Sequence, residues 1–167
     1  LTAEAEKWFL EQPAGTVVGA AAFRLLEAAG IPVAAHEEVR NLDQALAAAE
    51  RIGYPLAMKV SSSKIAHKSD AGALRLGIES KQGVRAAFAA LGGIIDLNDP
   101  GCGILIQKMA PPGGTEMLLG IRHDPHFGAA VLAGLGGILV EILHDTSIRL
   151  APVSESQASE MLRQLRG

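Results

Sequence analysis

The sequence predicts an α/β fold: a small α/β lobe followed by a lobe that is mostly antiparallel sheet. Three observations lead there. Apolar residues recur at helical spacing in four separate segments. Between and after them run short apolar stretches bounded by Gly, Pro and Asp turns, as strands are. The chain is 49% hydrophobic, yet it holds only one Trp, one Tyr and four Phe. Its core must therefore be made of Ala, Val, Leu and Ile, which suits helices packed on a sheet.

The elements follow in order. Val18, Ala21, Ala22, Leu25, Leu26 and Ala29 share one face of a helix expected over 16–29. Gly30 is placed to cap it, and Pro32 prevents continuation. A strand is expected over 31–39. Asn41 and Gln44 have the spacing of a capping box, and Leu42, Ala45, Leu46, Ala49 and Ile52 form the stripe of the helix they start. Tyr54-Pro55 opens a strand over 56–60. Leu74, Leu76 and Ile78 alternate with Ala73, Arg75 and Gly77, the pattern of a half-buried strand. Val84, Ala87, Phe88 and Leu91 mark a third helix, closed by Gly92-Gly93. Strands are then expected over 103–109, 115–122, 127–133, 138–143 and 147–151. Ser154 and Gln157 form a second capping box, ahead of a helix with the stripe Ala158, Met161, Leu162 and Leu165. The division expected is an N-terminal extension (1–15), a small lobe (16–103) and the start of a second lobe (104–167).

Composition narrows the function. A net charge of -3 argues against a general nucleic-acid binder, which needs clustered Lys and Arg. The single Cys102 excludes an internal disulfide and a cysteine metal cluster, and one thiol fits a reducing, cytoplasmic setting. The most apolar run, 128–140, is Gly-interrupted and shorter than the roughly 20 residues a bilayer span needs. The N-terminus has no secretion-signal pattern and begins without Met, which points to a piece of a longer polypeptide.

The richest chemistry lies in KVSSSKIAHKSDAGAL, residues 59–74. Lys59 ends an apolar strand, where it either snorkels to solvent or presents a point charge to a phosphate. His67 sits in the polar loop that follows, among Lys64, Lys68 and Asp70. Most loop histidines do nothing chemical, but these neighbours suit an imidazole that accepts a phosphoryl group. His36, His123, His126 and His144 have weaker contexts. The pair His123 and His126 lacks a third ligand and is weak evidence for metal. Gly134-Leu135-Gly136-Gly137 precedes a strand and not a helix, so the helix-dipole argument for a phosphate loop fails. A tight hairpin is the plainer reading, with close approach of a ligand or another backbone left open. Gln107-Lys108-Met109 and the Pro/Gly turn after it offer a hinge against which a flat base could lie. Glu116, just beyond, is either an exposed strand carboxylate or an acceptor for ribose hydroxyls. Glu141 and Asp145 are too few to define a Mg²⁺ site.

GIPV, GYPLAMKV, HKSDAGALRLGI, ILIQKM with EMLLGIRHDPHFG, and GLGGILVEILHDTSIRLAPVSES occur here in one order. In this the chain resembles the ATP-grasp domain of NDP-forming acyl-CoA synthetases, a family similar to the β-subunit of succinyl-CoA synthetase. The resemblance covers 16–167. It implies an ATP-grasp module of two lobes and the reaction acyl-CoA + ADP + phosphate ⇌ acid + CoA + ATP through phosphohistidine. It implies that His67 carries the phosphoryl group, that Lys59 binds phosphate, that Gln107, Lys108 and Met109 border the adenine and that Glu116 meets the ribose. The cofactors implied are ATP/ADP and Mg²⁺. The partners implied are CoA-binding and ligase domains, or an alpha subunit, of the same synthetase, with homo-oligomers also allowed. Two departures stand out. Ala73 replaces a usual loop glycine, and the chain stops before the segments that supply Mg²⁺ ligands, so the module is expected to be C-terminally incomplete and inactive alone. The alternative is a ligand-sensing or inactive synthetase-like domain of a fused protein acetyltransferase.

Overall fold

The computed structural model describes residues 19–62, 72–94, 102–137 and 145–166. The N-terminal extension, His67 with its loop, and the strand expected over 138–143 lie outside the described residues. The chain divides into two compact units, Leu1–Ala110 and Pro111–Gly167.

In the first unit, helix α1 (Ala20–Ala28) leads to strand β1 (His36–Val39), helix α2 (Leu42–Ile52), strands β2 (Leu56–Ser62) and β3 (Leu74–Ile78), helix α3 (Lys81–Gly92) and strand β4 (Cys102–Lys108). The strands form one antiparallel sheet in the order β1-β4-β2-β3. β4 thus lies inside the first sheet, and the division between units falls at Ala110/Pro111, not at the 103/104 boundary expected from sequence. Leu105 and Ile106 are buried between two strand neighbours, and local patterning carries no record of which strands those are.

The ends of the helices follow the sequence signals. Gly30 has φ 79°; its N–H donates to Glu27 O, and Ile31 N–H donates to Leu26 O. This is a Schellman ending. Asn41 Oδ1 accepts from Gln44 N–H at 2.9 Å, and Gln44 Oε1 accepts from Arg40 N–H at 2.9 Å. Leu56, Met58, Val60, Ile104 and Ile106 on one sheet face are fully buried with Ala45, Ala48 and Ala49 of α2 and Val84 and Leu91 of α3. α1, by contrast, carries no buried residue. The half-buried alternation expected of β3 fails in the middle. Leu56 pairs with Ile78 but Met58 pairs with Arg75, so β3 carries one extra residue. Gly77 at φ 66° absorbs it as a β-bulge, and Leu76 is left 62% exposed.

In the second unit, β5 (Met117–Asp124), β6 (Gly128–Leu135) and β7 (Thr146–Leu150) form an antiparallel sheet in chain order, followed by α4 (Glu155–Arg163). Asp124 Oδ1 accepts from the N–H groups of His126 at 2.8 Å and Phe127 at 3.1 Å. The His-Asp-Pro-His run is thereby a hairpin turn closed by its aspartate. α4 begins with the expected capping box, both halves formed. Its Met161 is buried, while Leu162 of the expected stripe is half exposed. Gln164 Oε1 accepts from Ser147 Oγ and Arg149 Nη2, each at 2.9 Å, which ties the end of α4 to β7.

Candidate functional site

Antiparallel pairing puts registered partners on one face of a sheet. His36 pairs with Gln107, Gln107 with Ala57, and Lys59 with both Leu105 and Leu74. Lys59 and Gln107 therefore point to the same side, away from the helix-covered core formed by their neighbours Met58 and Ile106. The Lys59 ammonium donates to Gln107 Oε1 at 3.0 Å. It also lies 5.3 Å from the centre of the Phe23 ring, within cation–π range. Phe23 in turn packs on the His36 ring, with centroids 4.5 Å apart, and His36 Nδ1 lies 3.0 Å from Ala34 O. Lys59, Gln107, His36 and Phe23 thus form one cluster with a fixed cation at its centre. Beside it, Ser61 Oγ donates to Glu38 Oε2 at 2.8 Å. A Cβ on Gly103, between those two residues, would come 2.9 Å from the Glu38 carboxylate.

Lys108 faces the other way. Its ammonium donates to Gly53 O at 3.2 Å and to Tyr54 O, at the C-terminal end of α2. There a cation also meets the negative end of the helix dipole. The N–H of Lys108 donates to Ala35 O and that of Met109 to Pro55 O. These two backbone donors are therefore not what a base would meet. Met109 Sδ lies 3.1 Å from Gly77 N, at the β3 bulge.

Glu116 lies in the second unit, just ahead of β5. Gly136 N–H donates to its carbonyl at 2.6 Å, and its side chain lies against Gly137. Asp145 O accepts from Leu135 N–H. Among the described residues no group of three or more His, Cys, Asp or Glu side chains could hold a metal ion, so the described residues do not make a Mg²⁺ site. Sequence reasoning did not single out Phe23. Its only signal was the one aromatic ring in α1, and the ring meets Lys59 only through packing of that helix on β2.

These features define a class. The ATP-grasp domain model matches residues 9–167, and the chain belongs to that family. Within it, the chain is 40% identical over 159 residues to acetate–CoA ligase [ADP-forming] I of Archaeoglobus fulgidus, covering 94% of this chain and 23% of that protein. It is also 40% identical over 145 residues to the beta subunit of acetate–CoA ligase [ADP-forming] I of Pyrococcus furiosus, covering 85% of this chain and 62% of that subunit. The chain thus spans less than two thirds of the length of either relative. Among solved structures, the dinucleotide forming acetyl-coenzyme A synthetase 1 of Ca. Korarchaeum cryptofilum, in complex with coenzyme A and Ca-AMPCP, superposes with a TM-score of 0.81 at 34% identity, over 90% of this chain and 66% of that one. A Pyrococcus horikoshii crystal structure superposes with a TM-score of 0.87 at 34% identity, over 99% and 73%.

Proposed function

We propose that this chain is the nucleotide-binding and phosphoryl-transfer portion of an ADP-forming acyl-CoA synthetase. The observation that carries the reading is the Lys59–Gln107 pair, 3.0 Å apart on adjacent strands, in a chain 40% identical to two ADP-forming acetate–CoA ligases. The Gln107 bond sets the position of an ammonium group, which is what a phosphate oxygen needs from a point donor. In this reading the first unit is the small lobe and the second the start of the large lobe. Lys59 holds the nucleotide phosphates, Gln107, Lys108 and Met109 border the adenine and Glu116 accepts from the ribose hydroxyls.

ATP, when bound, would supply the phosphoryl group, and a Mg²⁺ ion with ligands from outside the described residues would offset its charge. His67 accepts that group on an imidazole nitrogen: a P–N bond forms as the bond from phosphorus to the ADP oxygen breaks, and the reverse makes ATP. His67 lies outside the described residues, and its role rests on the HKSD resemblance. The other reactants, CoA and a carboxylic acid, are handled by partner domains or an alpha subunit, and the whole works in the cytoplasm. The test is made on the full-length protein. Acyl-CoA, ADP and phosphate should yield ATP, and His67→Ala should abolish the exchange. Formation of AMP and pyrophosphate from ATP, acid and CoA would overturn the reading.

A further inference from the structure

The Gly134-Leu135-Gly136-Gly137 run has no part in the function proposed above, yet a side chain at Gly134 or Gly136 would collide with backbone and one at Gly137 would displace the Glu116 carboxylate. A Cβ on Gly134 would lie 2.8 Å from Thr146 Cγ2 and 2.9 Å from Asp145 O, so this glycine admits β7 alongside β6. The other two face Glu116. A Cβ on Gly136 would lie 2.8 Å from the Glu116 carbonyl carbon and 3.0 Å from its oxygen, closer than real Cβ contacts come. The short Gly136 N–H bond to that oxygen holds the two backbones in this approach. A Cβ on Gly137 would overlap the Glu116 Oε2 atom and lie 3.2 Å from its carboxyl carbon. Gly137 also has φ +64°, where a side chain is strained in any case.

We infer that Gly136 and Gly137 are positioning residues for Glu116: they form a side-chain-free saddle that seats its backbone and carboxylate and so sets where that carboxylate can accept a hydrogen bond. The inference deepens the proposed function and rests on its reading of Glu116 as the ribose acceptor. The turn is thus neither a phosphate loop nor a plain hairpin, since its glycines are required by a residue 20 positions earlier. Positive φ alone does not explain the pattern. Gly128, in the same unit, has φ +80° but nothing within 4 Å of a built Cβ, so Gly128→Ala introduces backbone strain without touching Glu116.

The experiment compares Gly137→Ala, Gly128→Ala and Glu116→Ala in the full-length protein. Affinity is read for ADP and for 2′,3′-dideoxy-ADP, and the ¹³C resonance of the Glu116 carboxyl is followed in glutamate-labelled protein. Gly137→Ala should shift that resonance and cut the preference for ADP over the dideoxy analogue roughly tenfold, as Glu116→Ala does, with affinity for the analogue little changed. Gly128→Ala should do neither, whereas a purely structural glycine would weaken both nucleotides together. If Glu116→Ala leaves the preference intact, the ribose reading fails, and the resonance in Gly137→Ala still decides the saddle. An unmoved resonance with an unmoved preference overturns the inference. If Gly137→Ala does not fold, the Gly137 Cα resonance is compared between wild type and Glu116→Ala. A shift on removing the carboxylate supports the seat, and no shift overturns it.

Discussion

Lys59, in the middle of β2, and Lys108, at the end of β4, have different surroundings. Lys59 is held by Gln107 and Phe23, and removing it takes away a charge-assisted contact worth about 1.5–3 kcal/mol. Lys59→Ala should therefore weaken ADP binding by roughly ten- to a hundredfold, measured by calorimetric titration of the full-length protein. Lys108 is bonded to the Gly53 and Tyr54 carbonyls. Lys108→Met, which keeps the apolar stem, should leave ADP affinity largely intact and speed hydrogen exchange in the last turn of α2. Glu37 shows the pH dependence of a third contact. Arg51 donates to both its carboxylate oxygens, at 2.9 and 2.6 Å, and this hydrogen bonding holds the Glu37 carboxyl below the ordinary carboxylate range; partial burial opposes the shift and the guanidinium charge adds to it. A depressed folded value means the stabilisation is complete above the ordinary carboxylate range and is lost as pH falls through the folded value. Glu37→Gln should thus cost a little stability at neutral pH, a difference that closes in acid. The pair is exposed and salt-screened, so the effect is small, and a melting temperature followed against pH reads it.

At the scale of elements, capping and pairing contribute separately. α2 and α4 begin where Asn41 and Ser154 satisfy the orphan N–H groups of a first turn, a purely local device. Asn41→Ala should cost about 1 kcal/mol, visible as faster hydrogen exchange in the first turn of α2 while α3 is unaffected. Strand β3 shows the other regime. Its alternation of Leu74, Leu76 and Ile78 reads as one buried face, but the bulge at Gly77 turns Leu76 outward. The partner strand determines that outcome, because an extra residue on one side of a ladder can be recognised only against the residues opposite it.

Across the whole chain, the first unit has a closed core under α2 and α3, whereas the sheet of the second is poorly covered. Leu119 is 71% exposed, Ile121 78% and Phe127 70%, and Ile148 and Leu150 54% each. By register Leu119 and Ile121 lie on one face of the sheet and Ile148 and Leu150 on the other, and apolar surface left exposed in this way favours association. Expressed alone, the 167 residues should self-associate in a concentration-dependent way, and Ile121→Lys on edge strand β5 should shift sedimentation towards the monomer. Unchanged sedimentation in that variant would mean the apolar edge is not what brings the chains together.

The α/β class, the identity of most elements, the Asn41 cap, the capping box at Ser154 and the Schellman ending at Gly30 were legible in the sequence, because helical periodicity, caps and turns are properties of residues a few positions apart; the box expected at Asn41 is only half formed, since Gln44 Oε1 takes its hydrogen bond from Arg40 N–H and not from Asn41. The motif order likewise carried the family resemblance. The tertiary structure decided which strands neighbour one another. It placed β4 between β1 and β2 and moved the division of the chain to Ala110. It brought Gln107 and Phe23 to Lys59, turned Lys108 to the end of a helix, and set Gly136 and Gly137 beneath Glu116. Each of these is a contact between residues 20 or more positions apart. Such contacts depend on sheet order and register, which one-dimensional patterning does not encode.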